Sequence, residues 1–227
     1  MTRPDPAEVA RFAAARDRVL ASIAAAARRA GRDPGEVTLV AVSKTVPADR
    51  LVAAVAAGLT LLGENRVQEA AEKAPLVAGA TWQLVGPLQS NKVRRALETF
   101  ALVQTVDSVE LARRLDRIAG ELGMAPFPVL LQVNVDRDPA KAGVAPGDLA
   151  GVLGELAGLA RLRLEGLMTI GRLTSSEAEA RATFRGLREV SERLRGGGSG
   201  GGFEGVLGPA LSMGMSDDYP LAIEEGV

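Results

Sequence analysis

Short runs of uninterrupted apolar residues alternate along the chain with longer stretches whose apolar positions recur every three or four residues. The short runs predict strands over 37–44, 59–63, 81–86, 101–107, 128–135, 162–170 and 210–215. The periodic stretches predict helices over 49–57, 67–77, 93–100, 108–122, 146–159 and 176–194. A further helix opens the chain: Asp5 is placed to cap it, Pro6 suits its first turn, and Gly31 stops it after Arg28 and Arg29. Asp107 with Glu110, and Ser176 with Glu179, have the spacing of a capping box. The runs 37–42 and 129–135 are too continuously apolar for half-solvated strands and predict burial on both faces, as in a parallel sheet covered by helices. Seven strand-then-helix units without hairpin signals point to an α/β fold, and a closed barrel is favoured over an open doubly wound sheet.

Composition narrows this further. With 47% apolar and 24% charged residues, the 227-residue chain has the make-up of a folded protein, and its length suits one barrel domain over 1–227. Glycines and Ser199 over 196–202 read as a flexible connection; the formal G-x-G-x-x-G they contain follows a helix and carries no dinucleotide signal. A formal charge of −1 gives no general attraction to nucleic acid or acidic lipid, and no apolar stretch approaches the ~20 residues of a membrane span. Without a recognisable signal peptide, the expected location is the cytoplasm. The chain has no Cys and no His, which excludes thiol nucleophiles, zinc–thiolate sites and the commonest general base. Chemistry must rest on Lys, carboxylates, hydroxyls or a cofactor.

Lys44 is the sharpest candidate. It ends the first strand, and barrel sites gather at the carboxyl ends of strands. Apolar surroundings would draw its pKa down from about 10.4 toward neutrality, leaving an amine able to attack a carbonyl. The second candidate is Ser212-Met213-Gly214-Met215-Ser216-Asp217-Asp218 at the end of the seventh strand. There small residues let backbone N–H groups approach an anion, Ser212 and Ser216 add hydroxyls, and a helix is expected to start near Ser216. Glu64 and Asn65 would face the same mouth as Lys44, with Gln68 and Glu69 one turn on; supporting or capping roles suit them better than a metal site. Ser90 reads as a helix cap after the third strand. An amine with an anion cup suits a phosphorylated aldehyde or ketone: pyridoxal phosphate, or a sugar phosphate in a lysine-type aldolase.

These motifs, with Gly63-Glu64-Asn65, Leu88-Gln89-Ser90-Asn91-Lys92, Gln132-Val133-Asn134 and Gly166-Leu167-Met168-Thr169-Ile170 in order, resemble the pyridoxal phosphate homeostasis protein family over nearly the whole chain. The resemblance implies a (β/α)8 barrel like the alanine racemase N-terminal domain, in a cytoplasmic protein that binds and buffers pyridoxal 5′-phosphate. It implies that Lys44 carries the cofactor as an aldimine, that Ser212 helps hold the phosphate in the 212–216 loop, and that Asn65 lies near the cofactor. Pyridoxal-phosphate-dependent apoenzymes would be its partners, with no catalytic residue of its own.

Three departures stand out. Gln83 occupies a position where the family usually has His, and Arg66 one where an aromatic is common. The family also continues past the Glu-Glu-Gly at 224–226 into an eighth strand, so the expectation here is a truncated end and a barrel with exposed edges on its first and seventh strands. A carrier is therefore the favoured function, with a weak racemase or lysine-type aldolase as the alternative. A racemase of related fold needs a second base, and the chain's one tyrosine is Tyr219.

Overall fold

Each predicted apolar run forms a strand, and all seven strands lie side by side in chain order in one parallel sheet. The computed structural model describes residues 4–171, 174, 176–196 and 202–227. Helix α1 (Pro6–Arg29) precedes β1 (Ala41–Val42), α2 (Ala48–Ala56), β2 (Leu61–Glu64), α3 (Val67–Lys73), β3 (Thr81–Leu84) and α4 (Val93–Thr99). Then follow β4 (Leu102–Val106), α5 (Val109–Glu121), β5 (Phe127–Gln132), α6 (Leu149–Leu156), β6 (Leu162–Met168), α7 (Glu177–Arg195), β7 (Ala210–Ser212) and α8 (Tyr219–Glu224). The result is an α/β barrel of the (β/α)8 kind with seven strands among the described residues. Strands β1 and β7 are its two edges, since β1 pairs only with β2 and β7 only with β6. The glycine tract expected as a connection lies, over 197–201, outside the described residues.

One apolar cluster joins Leu84, Val103 and Leu131 of the sheet to Leu97, Leu115 and Leu187 of the helices. Close strand approach shapes it locally: a Cβ at Gly166 would collide with the carbonyl oxygen of Ala210, so only glycine lets β6 and β7 pair at this register. A second, smaller cluster lies between Ile23, Ala26 and Ala27 of α1 and Ile223 of α8, with Leu39 and Tyr219 packed against it. Charges reinforce this docking. Glu224 pairs with Arg29 at 2.6 Å and with Arg181 of α7 at 2.5 Å; Glu225 pairs with Arg185 at 3.1 Å. The helical layer thus bridges the two sheet edges through α8, although the edge strands do not pair with each other.

The structure corrects four expectations. The first strand is only two residues long, and Val42 is 50% exposed rather than buried on both faces. With no neighbour on its far side, β1 lacks the second set of ladder bonds that would extend it. Ser108, not Asp107, caps α5: its Oγ accepts from Leu111 N at 3.3 Å. Ser90 opens a single 3-10 turn, Ser90–Lys92, and caps nothing. Helix α8 begins at Tyr219 rather than near Ser216, because Tyr219 and Asp218 both donate their amides to the carbonyl of Met215 and turn the chain first.

The α8 dock should be acid-sensitive. Hydrogen bonds from Arg181 and then Arg29 hold the Glu224 carboxyl below its usual pKa, and Arg185 does the same for Glu225. A depressed carboxyl contributes stability above its unfolded pKa and loses it as pH falls through the folded value. Thermal melting followed from neutral pH into acid should therefore show a falling Tm, with a shallower slope in Glu224→Gln/Glu225→Gln. Ile223→Ala, emptying a fully buried site, should cost about 2–5 kcal/mol in urea unfolding.

Candidate functional site

A parallel sheet delivers every carboxyl end to one face, so the loops after β1, β2, β3, β4 and β7 share a mouth. Lys44 lies there in a turn closed by Val46 N donating to Ser43 O at 3.1 Å. Its neighbour Thr45 has φ 64°, a left-handed conformation that costs a non-glycine residue about 1–2 kcal/mol. The turn is held from both sides. Thr45 N donates to Glu69 Oε1 at 3.0 Å, and Ser43 N to Gly63 O at 2.8 Å. Ser43 Oγ lies 3.0 Å from Glu64 Oε1 and 3.1 Å from Gly63 O, acceptors its single proton serves one at a time.

Behind this turn sits a buried ion cluster. Lys73, on α3 and 8% exposed, uses all three ammonium protons: on Glu64 Oε1 at 2.6 Å, Glu69 Oε1 at 2.6 Å and Ser43 O at 3.0 Å. Glu64 is fully buried, and its second oxygen accepts from Asn65 N at 3.3 Å. Burial pushes the Lys73 pKa down, but bonds to the two carboxylates outweigh it and the net direction is up. The bond from Lys73 holds the Glu69 carboxyl below its usual range against the opposing effect of burial, helped by the Thr45 amide.

Lys44 is exposed, not enclosed by apolar groups as expected, because its strand is the sheet edge; its amine has no partner among the described residues. Asn65 is half-buried and pinned through its backbone, since a Cβ at Gly86 would collide with the Asn65 carbonyl; Thr105 Oγ1 in turn donates to Gly86 O at 2.6 Å. Ser212 Oγ donates to Gln104 Oε1 at 2.6 Å, and Gln104 Nε2 to Gln83 Oε1 at 2.6 Å, a chain linking β7, β4 and β3. Met213 is buried and Ser216 exposed. Gly214 has φ 88°, and a Cβ there would lie 2.8 Å from Ala222 Cβ. Among the described residues the amides of Met213, Gly214 and Ser216 find no acceptor, while Met215 N is taken by Asp218 Oδ1 at 2.5 Å.

Sequence reasoning missed Lys73 and Gln104. Glu69 and Lys73 have the i,i+4 spacing of a helical ion pair, and Gln104-Thr105 interrupts an otherwise apolar strand; both signals were there to be read. No group of three or more Asp or Glu among the described residues could hold a metal ion, and no described helix is long and apolar enough to cross a membrane.

The fold and this mouth define a barrel of a known class: residues 15–218 match the family model of the alanine racemase N-terminal domain. A pyridoxal phosphate homeostasis protein of Pseudomonas aeruginosa is 43% identical over 212 residues, covering 92% of this chain and 87% of that protein. The PipY protein of Synechococcus elongatus, solved with PLP bound, is 43% identical with a TM-score of 0.75, covering 91% of this chain and 94% of that one. A protein of Bifidobacterium adolescentis solved as an unknown superposes with a TM-score of 0.89 at 34% identity, covering 100% of this chain and 94% of that one. The chain belongs to the pyridoxal phosphate homeostasis protein family.

Loop geometry gives a direct test. Gly214→Ala should lower stability by about 1–3 kcal/mol, combining the left-handed backbone with overpacking against Ala222. Gly151→Ala, in α6 with nothing within 4 Å, should instead gain up to about 1 kcal/mol. Urea unfolding of the two variants checks the contrast.

Proposed function

We propose that this chain binds pyridoxal 5′-phosphate at the barrel mouth and serves its homeostasis as a reversible carrier without turnover. The cofactor supplies an aldehyde that condenses reversibly with a primary amine, and a phosphate that needs several donors. The donor set fits both needs. Lys44 offers an unpaired, exposed amine, and the 212–216 loop offers the amides of Met213, Gly214 and Ser216 and the hydroxyl of Ser216, with the Ser212 hydroxyl able to join them by turning its proton from Gln104. The observation that carries the reading is the contrast within the mouth: the buried charges around Lys44 are paired, whereas Lys44 is not. Asn65, its backbone fixed against Gly86 and its side-chain amide unpartnered among the described residues, would be available to help hold the cofactor.

A carrier is favoured over a racemase by the placement of Tyr219. That side chain packs against the α1–α8 cluster, which supports a role in docking the helix over one as a base opposite Lys44. In this reading the chain works in the cytoplasm, and its recipients are pyridoxal-phosphate-dependent apoenzymes rather than nucleic acid or membrane.

Adding pyridoxal phosphate to the purified chain should produce a visible absorbance band that is absent in Lys44→Ala, and borohydride reduction should place the added mass on Lys44. No band with the wild-type chain would overturn the proposal, and Lys44-dependent turnover of amino acids would overturn the carrier assignment. Ser212→Ala should weaken binding of pyridoxal phosphate about tenfold or more, the scale of a hydrogen bond to a charged group, and leave pyridoxal nearly unaffected. Equal losses for both ligands would remove Ser212 from the phosphate site.

A further inference from the structure

We propose that Lys73, acting through Glu64 and Glu69, is the positioning centre for Lys44; the proposal rests on the reading that Lys44 receives the cofactor. One buried ammonium is tied to both flanks of the Lys44 turn. On the amino side it donates to Ser43 O directly and reaches Ser43 Oγ through Glu64; on the carboxyl side it holds Glu69, which accepts from Thr45 N. Thr45 is the residue in the left-handed conformation, so the Glu69 bond sits where the backbone most needs an external hold.

Stability alone gives little reason for this cluster. A buried ion pair costs desolvation that its attraction seldom more than repays, and a well-packed apolar replacement is often as stable. What apolar side chains cannot do is fix the direction of three polar groups at once. The cluster specifies the path of residues 43–45, and thereby the point from which the flexible Lys44 side chain starts. Lys73 does not touch the reacting atoms; it acts through the turn.

The test compares Glu69→Ala with Glu69→Gln, which keeps an acceptor oxygen for Thr45 N. Hydrogen exchange of the amides of Thr45 and Val46 should quicken about tenfold in Glu69→Ala, the factor that about 1.4 kcal/mol of lost hold gives, while amides of β4 and β5 stay unchanged. Apparent affinity for pyridoxal phosphate should fall about tenfold in parallel, affinity for inorganic phosphate should hold, and Glu69→Gln should recover most of both losses. Lys73→Met alone would strand the buried Glu64 charge and risks unfolding. The double variant Glu64→Gln/Lys73→Met removes both charges at similar volume and should loosen the same turn. Unchanged exchange at Thr45 and Val46 in Glu69→Ala and in the double variant would overturn the proposal, as would faster exchange with undiminished pyridoxal phosphate affinity. A wild-type chain with no Lys44-dependent band would overturn the cofactor reading instead, and the hold on the turn would still be decided by exchange, which needs no cofactor.

Discussion

Parallel strand direction is the constraint on which the rest of this molecule depends. Because all seven strands run the same way, residues separated by more than a hundred positions in sequence arrive at one face. Lys44 after β1, Asn65 after β2, Gly86 after β3 and Ser212 at the end of β7 need no special long-range contact to share that face; the topology brings them there. The same constraint exposes a cost. Strands β1 and β7 each lack one partner, and β1 shrinks to two residues with Val42 half in solvent. Helix α8 offsets this from outside by tying α1 to α7 through an apolar contact at Ile223 and the Arg29, Arg181 and Arg185 ion pairs.

Within the mouth, polar groups divide by how completely they are satisfied. The three protons of Lys73 have three acceptors, both oxygens of Glu64 are engaged, and Thr105 secures the carbonyl of Gly86. Such satisfaction is what a buried polar network requires, since any orphaned member costs its full desolvation. The Lys44 amine, the Asn65 side-chain amide and the backbone amides of Met213, Gly214 and Ser216 have no partner among the described residues, and of these residues Lys44 and Ser216 are exposed to solvent. Rigid surroundings with a few unsatisfied groups are the arrangement from which binding proceeds at the least ordering cost.

The strands and helices were legible because apolar periodicity reports burial, and burial on a parallel sheet is nearly continuous. Strands β3 to β6 have neighbours on both sides, and there the pattern and the structure agree to within a few residues at each end. It failed at β1, where an edge position removes the second neighbour without changing the sequence Val40-Ala41-Val42. Lys44 was legible from its place after a strand, but its exposure followed from that same missing neighbour and was not. Lys73 escaped notice because a lysine on a helix ordinarily reads as solvated; only the chain's return past Ser43 makes it interior. A conformation set by a single local turn, such as that of Gly214, was more legible than contacts set by what another strand brings.

Ser212 shows how two parts of the site are coupled. Its hydroxyl carries one proton, and that proton is given to Gln104, which in turn donates to Gln83. In the proposed function, a phosphate held at the neighbouring amides would compete for the same proton. Were the hydroxyl to turn toward the phosphate, Gln104 Oε1 would lose its donor, and the change would pass along the chain to β3. Glutamine at 83 can meet such a change, because its amide both donates and accepts and can rotate to exchange the two. Histidine, which the family resemblance leads one to expect at this position, would meet it by changing tautomer or protonation state instead. The Gln83–Gln104–Ser212 chain is thus built from neutral side chains alone, in a sequence that contains no histidine.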